Sequence, residues 1–164
     1  MKRSHYIVVV VAVLSALALF VVISNSSTPQ DVPRDKELQP PECRGTAACL
    51  EGAVTRIVDG DTLDVNNTRI RLALIDTPEI GEAGHLEARQ KLASICQIGG
   101  HSLVDEDDLQ TERSFGRLLG KVYCAGQRES ANEILLESGN AIILREFCRT
   151  SEFSSEDWAR KYGC

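Results

Sequence analysis

The chain has 164 residues, 43% of them hydrophobic and 26% charged, six cysteines and a formal charge of -6. That length is enough for one domain with a modest core. The acidic balance excludes a protein that grips nucleic acid through a broad basic surface, but not a small site that uses a metal and a few arginines.

From the N-terminus, residues 7–23 are apolar apart from Ser15, with Lys2, Arg3 and His5 before them and no positive charge after them until Arg34. This reads as an export signal with its positive side inward. The run is longer than a usual signal-peptide core and slightly shorter than a comfortable span of ~20 residues, so cleavage after Ser24 and retention as a membrane anchor both stay open. Either way the rest of the chain is expected outside the cytoplasm, secreted or tethered. Lys2 and Arg3 are the only charges of residues 1–24, so without that segment the formal charge falls to -8. Residues 25–42 hold four of the five prolines, the composition of an extended linker. The folded domain is expected to run from residue 43 to 164.

Gly52 to Val58 reads as a strand. Leu63 and Val65 alternate with Asp64, and Ile70, Leu72 and Leu74 alternate with Arg71 and Ala73, so two further strands are predicted. Asn66-Asn67 between them suits a two-residue hairpin turn, because asparagine tolerates positive φ. In that register 65 opposes 68, 63 opposes 70 and 61 opposes 72. Leu63, Val65, Ile70 and Leu72 then share the inward face. Asp61 and Asp76 fall on the same parity at their strand ends, and Arg71 falls on the opposite one.

The same stretch carries the chemistry. Val58-Asp59-Gly60-Asp61-Thr62 and Arg71-Leu72-Ala73-Leu74-Ile75-Asp76-Thr77-Pro78-Glu79 bring four acids and an arginine close together. Carboxylates that crowd one site repel unless a cation or a proton intervenes. A hard metal ion that prefers oxygen ligands is the usual solution, and an arginine beside it is the usual partner for a phosphate.

Further along, a helix is predicted over His85–Cys96 with Ala88, Leu92, Ile95 and Cys96 on one face, ended by Gly99-Gly100. Ser102–Val104 and Leu118–Cys124 read as strands. Asp105-Glu106-Asp107-Asp108 between them reads as a solvated loop. Ser130-Ala131-Asn132-Glu133 has capping-box spacing, which starts a helix running to about Ser138. A last short helix starts near Ser154, with Trp158 and Tyr162 packing it. Strands that mostly precede helices fit a small closed barrel with helices packed on it.

Cys43, Cys49, Cys96, Cys124, Cys148 and Cys164 are an even number in an exported chain, where disulfides are favoured. No C-x-x-C spacing exists and the histidines lie far apart, which argues against zinc. The connectivity stays open in the sequence. Nearness along the chain and the expected fold favour Cys43–Cys49, Cys96–Cys124 and Cys148–Cys164.

The order strand, Asp59-Gly60-Asp61-Thr62, hairpin, Arg71-x-x-x-x-Asp76-Thr77-Pro78-Glu79, helix, then Phe115-Gly116-Arg117 entering a strand resembles the staphylococcal nuclease (thermonuclease) family over about residues 50 to 145. Asn132-Glu133 at the next helix start adds to it. The resemblance implies a five-stranded OB-fold barrel with about three α-helices, and calcium-dependent cleavage of DNA and RNA by a monomer. It implies Asp61, Asp76 and the Thr77 carbonyl as calcium ligands, with Asp59 supporting them. Glu79 would activate or position the attacking water, and Arg71 and Arg117 would hold the scissile phosphate. Phe115 stands where the family often has tyrosine, and Ser114 where a basic residue is frequent. The alternative is the same barrel without activity, binding single strands or a protein. A disulfide-stabilised surface domain with no nucleic-acid role leaves both arginines and Glu79 without a purpose.

Overall fold

A computed structural model describes residues 41–112 and 115–164. The export segment 1–24, residues 25–40 of the linker, and Ser114 lie outside the described residues. Among the described residues, no helix is long and apolar enough to cross a membrane.

Five strands close into a barrel: β1 (Cys49–Ile57), β2 (Thr62–Val65), β3 (Thr68–Leu72), β5 (His101–Glu106) and β6 (Leu118–Cys124), in the spatial order β1-β2-β3-β6-β5. The β3–β6 pair is parallel and the other pairs are antiparallel. Among the described residues, three α-helices accompany the barrel, namely α1 (His85–Ile95), α2 (Ala131–Glu137) and α3 (Asp157–Tyr162). This is the OB-type architecture expected from the sequence. Two elements were not expected. They are β4 (Ile75–Asp76) and β7 (Ile142–Ile143), which pair antiparallel as a separate ribbon.

The hairpin register is the predicted one, with Val65 opposite Thr68 and Leu63 opposite Ile70. Asn66 and Asn67 both have positive φ, at 47° and 63°, as a two-residue turn matched to strand twist requires. The Asn66 amide also bridges to β1, accepting from the Ala53 N–H and donating to the Glu51 carbonyl. Leu63, Val65, Ile70 and Leu72 fill the barrel with Val54, Val104 and Val122. Helix α1 covers it with the predicted face, since Ala88, Leu92, Ile95 and Cys96 are all buried. Ser130 caps α2 by accepting the Glu133 N–H.

The disulfides join Cys43 to Cys49, Cys96 to Cys124 and Cys148 to Cys164. The second ties the end of α1 to the end of β6. The third closes a separation of 16 residues, worth about 3 kcal/mol in the chain-entropy account.

The acidic run Asp105–Asp108 is not a solvated loop, which corrects the sequence expectation. Asp105 and Glu106 belong to β5, and Asp105 and Asp107 are buried. Each acid accepts main-chain donors. Asp105 takes the Arg44 N–H, Glu106 the Ala48 N–H, and Asp108 those of Thr46 and Ala47. Asp107 takes the N–H groups of Leu109 and Glu152. A carboxylate that accepts several such bonds is stable where a bare one is not. The run therefore clamps the segment before β1 and the turn before α3 onto the barrel.

Candidate active site

The site begins at the turn between β1 and β2. The N–H groups of Val58 and Asp59 both donate to the Thr62 carbonyl, and Asp59 Oδ1 accepts the Asp61 N–H at 3.2 Å. Gly60 lies between the two acids for a steric reason. A Cβ there would stand 2.5 Å from Thr77 Oγ1 and 2.8 Å from Ala88 Cβ of α1. The Asp61 carbonyl accepts the Leu72 N–H at 2.8 Å, which locks the turn to the end of β3.

Asp61 is buried, and its carboxylate is fully engaged. Oδ1 accepts the Thr62 hydroxyl at 3.1 Å. Oδ2 accepts the Thr77 N–H at 3.0 Å and the Thr77 hydroxyl at 2.9 Å. It also meets Nη1 of Arg71, whose Nη2 donates to Asp76 Oδ1 at 2.7 Å. One guanidinium thus spans both acids, although its strand parity points it away from them. The chain after β3 explains this. It reverses through Ala73 and Leu74, and Leu74 has φ of 63°, a conformation that branched side chains avoid. Three contacts hold that turn: the Ala73 N–H donates to Gly120 O, Asn132 Nδ2 donates to Ala73 O, and the Leu144 N–H donates to Leu74 O. β4 then runs back and delivers Asp76 to Arg71.

Burial pulls the Arg71 pKa down, while the charge and hydrogen bond of Asp76 oppose the fall; nearby Arg117 lowers it further. Arg117 enters β6 after Phe115 and Gly116, both of positive φ. Arg71 and Arg117 line one cleft of about 680 Å³, walled by Leu74, Leu109, Leu144 and Phe147. Gln110, Thr111 and Glu112 also line it, so the two cations face an apolar side and one acid.

The structure therefore brings Asp61, Asp76, Thr77 and Arg71 into one cluster and places Arg117 on the same cleft. Asp59 supports the turn through its hydrogen bond to the Asp61 main chain. Glu79 is the outlier. It is exposed beyond Pro78, its main chain is tied to Glu82 by two hydrogen bonds, and its carboxylate is not among the partners of Arg71. The four acids do not crowd one point. Among the described residues, no three acidic, histidine or cysteine side chains converge as a ligand group. Asp61 and Asp76 do converge, as an oxygen-only pair already holding a cation, the Arg71 guanidinium. That donor chemistry fits a hard metal ion. Sequence reasoning gave Gly60 no steric role, read Leu74 as a further strand residue where the structure ends β3 at Leu72 and turns, and used Asn132 only as a mark of the helix start. The Gly between two acids was a usable signal for the first, whereas the other two act through contacts distant in sequence.

Residues 69–161 match the family described as "Staphylococcal nuclease homologue". The chain is similar to "Micrococcal nuclease" of Shigella flexneri, 33% identical over 125 residues that cover 70% of each chain. It is 47% identical over 78 residues to "Protein ParB" of Escherichia coli, covering 45% of this chain and only 42% of that protein. An "Uncharacterized endonuclease" of Escherichia coli O157:H7 is 31% identical over 104 residues, 61% of this chain and 65% of its own.

Proposed function

The chain belongs to the staphylococcal nuclease family, and on that footing we propose that it hydrolyses phosphodiester bonds of DNA and RNA with low sequence specificity, outside the cytoplasm and with calcium. One observation carries the reading. Arg71 is held between Asp61 and Asp76 and shares a cleft with Arg117. The positively charged apolar N-terminal segment supports export, and three disulfides accord with an oxidising compartment.

In this reading Asp61, Asp76 and the Thr77 carbonyl hold the calcium, which when bound neutralises phosphate charge and orients water. Asp59 keeps the Asp61 turn in place. Arg71 and Arg117 pair with the non-bridging oxygens of the scissile phosphate, and Arg71 exchanges part of its carboxylate pairing for phosphate. Their fixed forks stabilise the charge that gathers as the bond to the leaving oxygen lengthens. Glu79, exposed beyond Pro78 and outside the Arg71 cluster, would have to turn its carboxylate toward the pair to activate or position the attacking water.

The test is digestion of DNA and of RNA by the oxidised protein, with calcium or with a chelator. Cleavage is expected with calcium only. Glu79→Gln and Arg117→Ala are each expected to lower kcat on the order of a hundred- to a thousandfold. Cleavage that survives chelation rejects the metal role. Binding without cleavage in calcium identifies an inactive binding barrel instead.

A further inference from the structure

Arg117 borders a second hollow besides the cleft it shares with Arg71. This one measures about 390 Å³ and lies against the outer face of the β2–β3 hairpin, lined by Asp64, Thr68, Arg69, Phe115, Gly116 and Arg117. We propose that it is a subsite for the nucleotide flanking the scissile phosphate of a single-stranded polynucleotide, with the base stacked on Phe115 and its phosphate paired with Arg69. This rests on the nuclease reading above and adds to it the path of the strand.

Phe115 carries the argument. It is 95% exposed, the highest value among the large hydrophobic side chains described. Its φ is 52° and that of Gly116 is 78°. Burial does not place the ring there, and the backbone adopts a disfavoured conformation to present it. The Arg117 guanidinium carbon lies 5.7 Å from the ring centre. An exposed aromatic face beside cations is the usual platform for an unpaired base, because every base offers a π-face. A base inside a duplex cannot lie on it, so the proposal commits to single or locally opened strands.

Arg69 supplies the phosphate contact. Its Nε and Nη2 bind Asp64 at 2.8 and 3.2 Å, and its side chain is 41% exposed. That bidentate grip fixes the plane of the guanidinium at the rim of the hollow, with Asp64 largely covered at 13% and the arginine facing solvent, so the remaining donors of the fork are open to a phosphate. Arg117, common to both hollows, would then sit where the strand passes from the cleavage cleft to the flanking subsite.

The test uses short single strands carrying 2-aminopurine at successive positions, bound in chelator and cut in calcium. At one position the wild type should quench the fluorophore, Phe115→Trp should keep the quenching, and Phe115→Ala should lose it. Phe115→Ala should raise Kd or KM roughly 5- to 150-fold, and that penalty should shrink to less than about threefold when the quenched position is abasic. Arg69→Ala should lower the salt slope of binding by about 0.7. Quenching and KM unchanged in Phe115→Ala would sink the subsite while leaving the nuclease intact, as would an equal penalty on the abasic strand. A wild type that cuts neither DNA nor RNA in calcium would sink the nuclease reading itself. The exposure of Phe115 keeps folding out of the comparison, and circular dichroism checks it.

Discussion

At the scale of single residues, Gly60 and Arg71 set how far the acids can move. The space around Gly60 is closed by Thr77 and Ala88, so Gly60→Ala must push Thr77 off the Asp61 carboxylate. The expected cost is about 1–3 kcal/mol of stability, read as a lower urea midpoint, with a loss of kcat larger than that destabilisation explains. If kcat is unchanged while stability falls, the Thr77–Asp61 contact does not position the site. Arg71 acts through its shape as well as its charge, since one fork reaches both Asp61 and Asp76. A lysine supplies a point charge and cannot make both contacts. Arg71→Lys is therefore expected to lower kcat by about a hundredfold or more, with KM changed much less. A variant with near-normal kcat would show that charge alone suffices.

At the scale of elements, local and distant information separate cleanly. The β2–β3 hairpin was legible because Asn66-Asn67 accepts positive φ and the alternation of Leu63, Val65, Ile70 and Leu72 admits one register. Helix α1 was legible because Ala88, Leu92 and Ile95 recur on one face and glycines follow it. The approach of Arg71 to Asp76 was not legible, since it depends on a positive φ at Leu74, a residue type that signals no turn. That turn is held by a side chain about sixty positions away. Asn132 is fully buried at the start of α2. Its Oδ1 accepts the Val122 N–H, and its Nδ2 donates to the carbonyls of Ala73 and Gly120. Asn132→Ala takes the side-chain partner from the Val122 N–H and the Ala73 carbonyl, while Gly120 O keeps the Ala73 N–H, and is expected to cost about 2 kcal/mol or more. Because Ala73 lies between Arg71 and Asp76, kcat should also fall at temperatures where the variant is still folded. Equilibrium unfolding and single-turnover rates measured side by side check both. Asn132→Asp, which sets a carboxylate oxygen against the Ala73 and Gly120 carbonyls in a fully buried place, should cost at least as much as Asn132→Ala.

At the scale of the whole molecule, the acidic run and a buried lysine close the barrel against its C-terminal segment. Period and composition could not show this, because a charged residue reads as solvated until its partner is known. Lys121 of β6 is 2% exposed. Its Nζ meets Glu156 at 2.6 Å and Asp105 at 3.6 Å, and it lies over the Phe153 ring at 4.6 Å. Glu156 also accepts the Trp158 indole N–H. Burial disfavours the ammonium, but the hydrogen bond to Glu156 and the charges of Glu156 and Asp105 outweigh it, so its pKa lies above the ordinary 10.5. Burial likewise raises the Tyr123 phenol beside it. A group whose folded pKa is raised stabilises the fold in full below its unfolded pKa and loses that contribution as pH climbs through the folded one. Both groups therefore act in the same direction, and thermal stability should drop steeply as pH rises past about 10.5. Removing the lysine alone leaves the buried Asp105 without a counter-charge and the part-buried Glu156 with only Arg44, 3.9 Å away, so Lys121→Met is expected to cost about 3 kcal/mol at neutral pH. Replacing Asp105 and Glu156 by their amides in the same chain should recover much of that loss and flatten the alkaline fall. Thermal melts of the three proteins from about pH 7 to 12 decide it: if the triple variant melts as steeply with alkali as the wild type, the transition belongs to other groups and the cluster is not the clasp.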